Sequence, residues 1–195
     1  MPTGVALRDP RQQLFDAAGR VLVRDGASEL TSRAVTTEAG VAKGVLHRYF
    51  ADFDAFLTEL VLDRIAQVEV QAAALRDVAG TGTVAGNLTS ALITGFDPVG
   101  VAVVVLVIAR DELRTRLRAA GTARFPLVGE VTAMVAGYLT AERDLGRIAA
   151  DADVDVLAPT VIGAAHLQFT EHEDDPAKSE AVRKVVTAVL AGAVR

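Results

Sequence analysis

The chain has 195 residues, of which 51% are hydrophobic and none is cysteine, and its formal net charge is −5. The hydrophobic content predicts a packed fold rather than a disordered chain. The absence of cysteine excludes disulfide bonds and thiolate metal sites, and the negative net charge argues against a general nucleic-acid coat protein.

None of the apolar segments is long enough to span a membrane. The longest covers residues 99–109, 11 in all, whereas a spanning helix needs about 20. The first residues are mixed polar and lack the apolar run of a signal peptide. Because a chain without cysteine suits a reducing compartment, we expect a cytoplasmic protein with no membrane partner.

The first predicted helix covers about residues 10–25. A proline is tolerated in its first turn, apolar residues recur through it at helical spacing, and Gly26 provides a stop. Two shorter helical segments follow within residues 31–50, on either side of a turn at 39–41.

Residues 31–50 have the plan of a helix-turn-helix, whose second helix enters the DNA major groove. Thr31 can cap the first helix by accepting a backbone N–H, and Gly40 suits the left-handed backbone that ends it. The basic residues of the segment outnumber its one acidic residue; they are Arg33, Lys43 and Arg48, against Glu38. The pattern alone also fits a helical corner that binds no nucleic acid.

The rest of the chain shows helical periodicity and neither a strand pattern nor an internal repeat, which predicts an all-α fold. The predicted helices cover about residues 52–79, 87–95, 99–110, 112–121, 125–142, 153–172 and 177–194. The last two are apolar around more of their circumference than the roughly 100° stripe of a surface helix. They fit either a plain core hairpin or half of a four-helix interface between two copies of the chain.

Residues 8–60 resemble the DNA-binding domain of the tetracycline-repressor (TetR) family of transcription regulators. The residues that match the family pattern at its spacing are Thr31, Val35, Ala39, Gly40, Val41, Gly44, Leu46, Tyr49, Phe50 and Leu57. The chain departs from the pattern at Thr36, Ala42, His47 and Phe53.

The resemblance implies a three-helix DNA-binding domain at residues 8–52 and a helical bundle for ligand binding and dimerisation at residues 53–195. Carried over by position, the residues facing base edges are Arg33, Lys43, Gly44 and Val45. Those serving the phosphates are Thr31, Ser32, His47, Arg48 and Tyr49. The two C-terminal helices usually dimerise in this family, which favours the four-helix interface.

We expect an apolar pocket for a small-molecule effector between the long fourth helix and the helices from residue 87 to 170. Its candidate lining residues are Phe96, Leu106, Arg110, Phe125, Met134, Tyr138, His166 and Phe169. A mostly apolar lining with one or two polar groups suits a hydrophobic ligand. For each of these residues the alternative is an ordinary place in the core.

The sequence contains no pattern for catalysis or metal binding. No serine lies in a G-x-S-x-G elbow. Residues 151–155 alternate aspartate with other residues but lack the later glycine and glutamate of a calcium loop. We therefore expect no enzymatic activity, no metal and no cofactor.

The expected function is that of a homodimeric regulator which binds an operator in double-stranded DNA. Most such regulators are repressors, released here by a small, mostly apolar ligand. The alternative is a dimeric ligand- or protein-binding module of the same fold with weakened DNA binding. It is motivated by His47 and Phe53, which replace a phosphate-binding tyrosine and lysine of the family.

Overall fold

The computed structural model describes residues 9–171 and 178–195. In these residues the chain forms ten α-helices and no strand, as the sequence predicted. The helices are α1 (Pro10–Asp25), α2 (Ser32–Glu38), α3 (Gly44–Tyr49), α4 (Phe53–Asp77), α5 (Val84–Gly95), α6 (Pro98–Ala109), α7 (Asp111–Ala119), α8 (Val128–Asp144), α9 (Val154–Glu171) and α10 (Lys178–Leu190). The predicted helix ends at residues 172 and 177 lie outside the described residues.

Two helices begin at different residues from those predicted, for local reasons. Helix α5 begins at Val84 rather than residue 87, because the Thr83 hydroxyl accepts the Gly86 N–H at 3.0 Å and caps the earlier turn. Helix α8 begins at Val128 rather than residue 125. Pro126 disfavours helical backbone at residue 125, and the positive φ of 68° at Leu127 interrupts the backbone immediately before the helix.

The chain after α10 turns away from the helix instead of extending it to residue 194. The Ala149 N–H donates to the Ala193 carbonyl at 2.8 Å, and the Arg195 N–H donates to the Arg147 carbonyl at 3.1 Å. These backbone hydrogen bonds join residues 193–195 to residues 147–149. Helix α10 therefore ends at Leu190.

The helices form two compact units that do not follow chain order. The first unit comprises Met1–Asp63 and Pro98–Thr122, and the second comprises Arg64–Asp97 and Ala123–Arg195. Helices α6 and α7 therefore belong to the same unit as α1, α2 and α3. The predicted functional division between residues 8–52 and 53–195 stays a prediction.

The first unit is built on aromatic rings and on one close helix contact. Phe15, Phe50 and Phe56 pack with ring centroids 5.0 to 5.7 Å apart. Helix α6 lies against α1 at Gly19, where an added Cβ would come within 3.0 Å of a Val99 methyl carbon. The glycine thus lets the two helices approach closely.

The second unit packs α10 against α9 and α5, and α8 against α9. The inner faces of α9 and α10 are fully enclosed, with 0% exposure for Val161, Ala165, Val182 and Val186. One face of the terminal hairpin is therefore core. Its outer face is exposed at Val156 and Leu167.

A buried carboxylate holds the loop before α5 to the end of α8. Glu142 has no exposed surface. It accepts hydrogen bonds from the Tyr138 hydroxyl at 2.5 Å and from the Gly80 N–H at 3.3 Å, and it pairs with Arg147 at 3.4 Å. Asn87 donates to the Tyr138 oxygen at 3.0 Å. Burial first, and then the bond to Glu142, raise the pKa of Tyr138 above its ordinary value, which keeps the hydroxyl a donor.

Candidate nucleic-acid interface

The turn between α2 and α3 has the geometry that its sequence predicts. The Thr31 hydroxyl accepts the Ala34 N–H at 3.1 Å and caps α2. Gly40 has a φ of 67°, which favours glycine. The Val41 N–H then donates to the Thr36 carbonyl at 3.0 Å, which closes the end of α2. Helix α3 begins four residues after the glycine, at Gly44.

Apolar residues from three segments fix the two short helices together. Leu30, Val35 and Leu46 have 0% exposure, and Phe50 has 3%. The Thr36 hydroxyl, at a position where the family has alanine, donates to the Ser32 carbonyl at 2.9 Å. This departure from the family pattern is therefore accommodated within α2 itself.

The basic residues of the first unit include two groups that differ in their pairing. One group makes ion pairs with carboxylates of the same unit; its members are Arg11, Arg20, Arg24, Arg114 and Arg116. The second group, within residues 31–50, is exposed and has no ion pair within residues 9–171 and 178–195; its members are Arg33, Lys43, His47 and Arg48. Arg118, on α7, is also exposed without an ion pair among these residues. The second group lies on α2 and α3 or at the start of α3, where it is available to phosphates.

The paired arginines hold the helix-turn-helix to α1. Arg20 and Arg24 donate to the two oxygens of Glu38, the last residue of α2, at 2.7 and 2.8 Å. These two hydrogen bonds lower the pKa of Glu38. At the other end of α1, Arg11 donates to the Tyr49 carbonyl at 3.4 Å and lies 4.7 Å from the centre of the Phe50 ring. Helical periodicity does not indicate these long-range partners.

Gly44 is exposed, and neither the packing nor the backbone conformation at this position requires a glycine. An added Cβ there would meet no described atom within 4 Å beyond its own helix and chain neighbours, and its φ is not positive. Glycine in a helix costs up to about 1 kcal/mol relative to alanine. The open space above Gly44 is therefore suited to a partner that approaches the backbone of α3 closely.

The remaining predicted DNA-contacting residues differ in their exposure and in their hydrogen bonds within the protein. Val45 and Tyr49 are half-buried on α3. The Thr31 hydroxyl is exposed but already caps α2. The Ser32 hydroxyl oxygen is enclosed and has no hydrogen-bond partner among the described residues. Contacts of these residues with DNA stay predictions.

The structure separates the predicted ligand-binding residues into the two units. Phe96 stacks on Phe169 with centroids 4.8 Å apart, and the His166 ring lies 6.1 Å from Phe96. These three belong to the second unit, as do Met134, Tyr138 and Phe125. Met134 and Tyr138 are buried and Phe125 is 61% exposed. The two residues in the first unit are Leu106, which is buried, and Arg110.

One polar group near this cluster was missed by sequence reasoning. The Oε1 atom of Gln71 is buried and has no hydrogen-bond partner among the described residues. It lies 3.6 Å from the position of a Cβ added to Gly95, and the Met134 methyl carbon lies 4.0 Å from the same point. A glutamine in a helical pattern carries no signal that its amide oxygen lacks a donor.

The described residues include no group of three or more His, Asp or Glu side chains placed to hold a metal ion. No single described helix is long and apolar enough to cross a membrane, although α5 and α6 taken together reach that length and composition.

The first unit defines a fold of the helix-turn-helix class, in which the second short helix carries unpaired basic residues. Residues 14–60 match the family model described as bacterial regulatory proteins, tetR family. This match covers the helix-turn-helix and agrees with the resemblance found in the sequence. No curated protein matches the chain significantly.

Solved structures of regulators share the fold over nearly the whole chain. A putative TetR-family regulator from Mesorhizobium loti has 18% identity and a TM-score of 0.72, with 98% of this chain and 100% of that chain covered. FadR from Bacillus subtilis, solved with stearoyl-CoA, has 18% identity and a TM-score of 0.67 over 93% and 98%. SmeT, the repressor of a multidrug efflux pump of Stenotrophomonas maltophilia, has 15% identity and a TM-score of 0.63 over 96% and 92%. At these identities the likeness establishes the fold alone.

Proposed function

We propose that the protein is a ligand-responsive, DNA-binding transcriptional regulator that acts as a repressor. The observation that carries the proposal is the set of exposed, unpaired cations beside Gly44 on α3. Basic side chains that no carboxylate neutralises can displace counterions from DNA phosphates. A glycine that packing does not require allows α3 to approach the base edges.

The test begins by selecting duplexes from random DNA with the full-length protein. Affinity for the selected operator and for an unrelated duplex is then measured at several salt concentrations. The logarithm of the binding constant should fall linearly with the logarithm of salt, because each neutralised phosphate releases counterions. Binding to the operator should exceed non-specific binding by a factor of about 10³ or more.

Single substitutions that each remove one positive charge locate the binding surface. Lys43→Ala and Arg48→Ala should each weaken binding. Arg118→Ala is the control, because Arg118 is exposed on α7 and, within the described residues, its side chain bonds only to Thr115 of its own helix. Absence of DNA binding even at low salt would favour the alternative, a ligand- or protein-binding module of this fold.

We propose that the ligand is small and mostly apolar and is bound by the second unit. The stacked Phe96 and Phe169 rings support an apolar ligand, and FadR is a regulator of this fold solved with an acyl-CoA. The buried Gln71 oxygen supports a ligand that also donates a hydrogen bond, because an unsatisfied buried acceptor is costly. The ligand releases DNA only by binding more tightly to the conformation that has low DNA affinity.

A compound screen for release of the operator identifies the ligand. Gln71→Met should then weaken binding of a hydroxyl-bearing ligand more than binding of its analogue without the hydroxyl. Equal losses for the two compounds would indicate that an ordered water, rather than the ligand, satisfies Gln71.

We propose that the protein acts as a homodimer through α9 and α10. The outer face of α9 exposes Val156 and Leu167, each 58% exposed, and between them lies Gly163, where an added Cβ meets no described atom beyond its own helix and neighbours. Small residues let helices of two copies pack closely, and an uncovered apolar face is unusual for a monomer. Sedimentation of the full-length protein at micromolar concentration should show a dimer, and a stable monomer would contradict the assembly.

A further inference from the structure

Helices α6 and α7 pack in the same unit as the helix-turn-helix, although about 45 residues of chain separate them from it. Helix α6 lies on α1 at Gly19. The junction between α6 and α7 is Arg110, which we expected to contact the ligand. Its side chain contacts the two ends of the helix-turn-helix, and its contact with a ligand stays a prediction.

The first contact is at the beginning of the helix-turn-helix. The Nη2 atom of Arg110 donates a hydrogen bond to the Leu30 carbonyl oxygen, which lies 3.1 Å away. The Leu30 side chain has 0% exposure, and the next residue, Thr31, caps α2. Arg110 therefore holds the backbone immediately before α2.

The second contact is at the end of the helix-turn-helix. The guanidinium of Arg110 lies 5.9 Å from the centre of the Phe53 ring, and Phe53 is the first residue of α4. Phe53 in turn stacks on Phe56 with centroids 5.6 Å apart. A cation over an aromatic face is attracted by the ring quadrupole. Phe53 occupies the position at which the family pattern has lysine. Its aromatic ring makes a cation–π contact with Arg110 that a lysine could not make.

A neighbouring contact reinforces the second one. Arg116, on α7, donates to the Asp52 carboxylate at 3.3 Å. Asp52 also accepts the Ala55 N–H at 2.6 Å and so caps α4. The hydrogen bond from Ala55 is the largest of the influences that lower the pKa of Asp52. Residues 110–116 thus contact the chain on both sides of α2 and α3.

We propose that Arg110, together with Phe53, is a positioning residue for operator recognition. It fixes the orientation of α2 and α3 within the first unit without touching DNA itself. The proposal rests on the proposed DNA-binding function and names a residue that controls its specificity. Base-edge contacts depend on accurate placement of α3, whereas phosphate contacts tolerate small tilts. Loss of Arg110 therefore lowers specificity more than general affinity.

The test compares Arg110→Met with wild type, using the selected operator and an unrelated duplex at the same salt. Methionine keeps an unbranched apolar stem at this position and removes the guanidinium, with its hydrogen bond to Leu30 and its charge. The ratio of operator affinity to non-specific affinity should fall about tenfold, with an unchanged salt slope for the unrelated duplex. Arg118→Met, the control on α7, should leave the ratio unchanged.

Affinities are corrected for the active fraction by stoichiometric titration, so that a merely destabilised protein retains the wild-type ratio. Phe53→Leu and Arg110→Lys provide further variants if Arg110→Met folds poorly. Phe53→Leu removes the ring face, and Arg110→Lys replaces the planar guanidinium by a point charge; both should lower the ratio.

The positioning role would be overturned if Arg110→Met kept the wild-type ratio of operator affinity to non-specific affinity. If Arg110→Met does not fold, the same ratio in both Phe53→Leu and Arg110→Lys would overturn it. Either result would leave DNA binding intact. A wild-type protein that binds all duplexes equally would instead overturn the proposed function, and this inference with it.

Discussion

The surfaces of the α2–α3 pair and the α9–α10 pair are both open, and they differ in chemistry. The first carries unpaired cations, and the second exposes valine and leucine. Each includes an exposed helical glycine, Gly44 or Gly163, above which the protein places no described side chain. The difference agrees with the two partners proposed above, which are DNA for the first surface and a second copy of the chain for the second.

The largest expected effect comes from a substitution that disrupts only the surface of the α9–α10 pair. Gly163→Glu should reduce dimer affinity at least hundredfold, because it places an unpaired charge in an apolar contact. The folded monomer should be no less stable, since glutamate is a better helix former than glycine. Sedimentation equilibrium and thermal unfolding measure the two quantities. An unchanged dimer would remove this face of α9 from the interface.

A carboxylate that lies on neither surface provides the next test. Glu142→Ala leaves the Tyr138 hydroxyl and the Gly80 N–H without their acceptor, and should lower the free energy of unfolding by about 3 kcal/mol. Denaturant titration measures the change. Glu180→Ala is the control, because Glu180 pairs with Arg183 on the exposed face of α10, and it should unfold at the wild-type denaturant concentration.

The first surface can be resolved into base and phosphate contacts. Lys43→Ala should cost about 1–3 kcal/mol and relax sequence preference at one position of the operator. Arg48→Ala should weaken binding uniformly across sequences and reduce the salt slope by about 1. Binding to an operator library at several salt concentrations separates the two. Identical behaviour of the two variants would contradict the assignment of Lys43 to the bases.

Gly44 distinguishes folding from function on the first surface. Gly44→Ala should raise stability by about 0.5 kcal/mol and yet weaken operator binding, because the methyl group occupies the space left for DNA. Thermal unfolding measures the change in stability, and operator titration on the same sample measures the change in DNA affinity. If stability and affinity rise together, the glycine has no role in DNA approach.

The parts of the fold predicted from sequence are those determined by neighbouring residues. The cap at Thr31, the stop at Gly40 and the bounds of α1 depend on contacts within a few residues, and the structure confirms them. The cationic segment on α2 and α3 was predicted for the same reason. The family pattern then supplied the functional meaning of that segment.

The parts that sequence reasoning missed depend on residues far apart in the chain. Arg110 reaches Leu30 across 80 residues, and Glu142 reaches Gly80 across 62. Helical periodicity places Glu142 on a helix but does not show that the loop before α5 covers it. A glutamate in a helix is usually solvated, so its burial could not be inferred from sequence.

The division of the chain into units limits where the protein can be divided into fragments. The backbone passes from one unit to the other after residues 63, 97 and 122, so neither unit is a continuous stretch of sequence. A fragment cut at residue 63 would lack α6 and α7 and would expose the surface of α1 around Gly19. We expect such a fragment to aggregate, because the first unit is incomplete without residues 98–122.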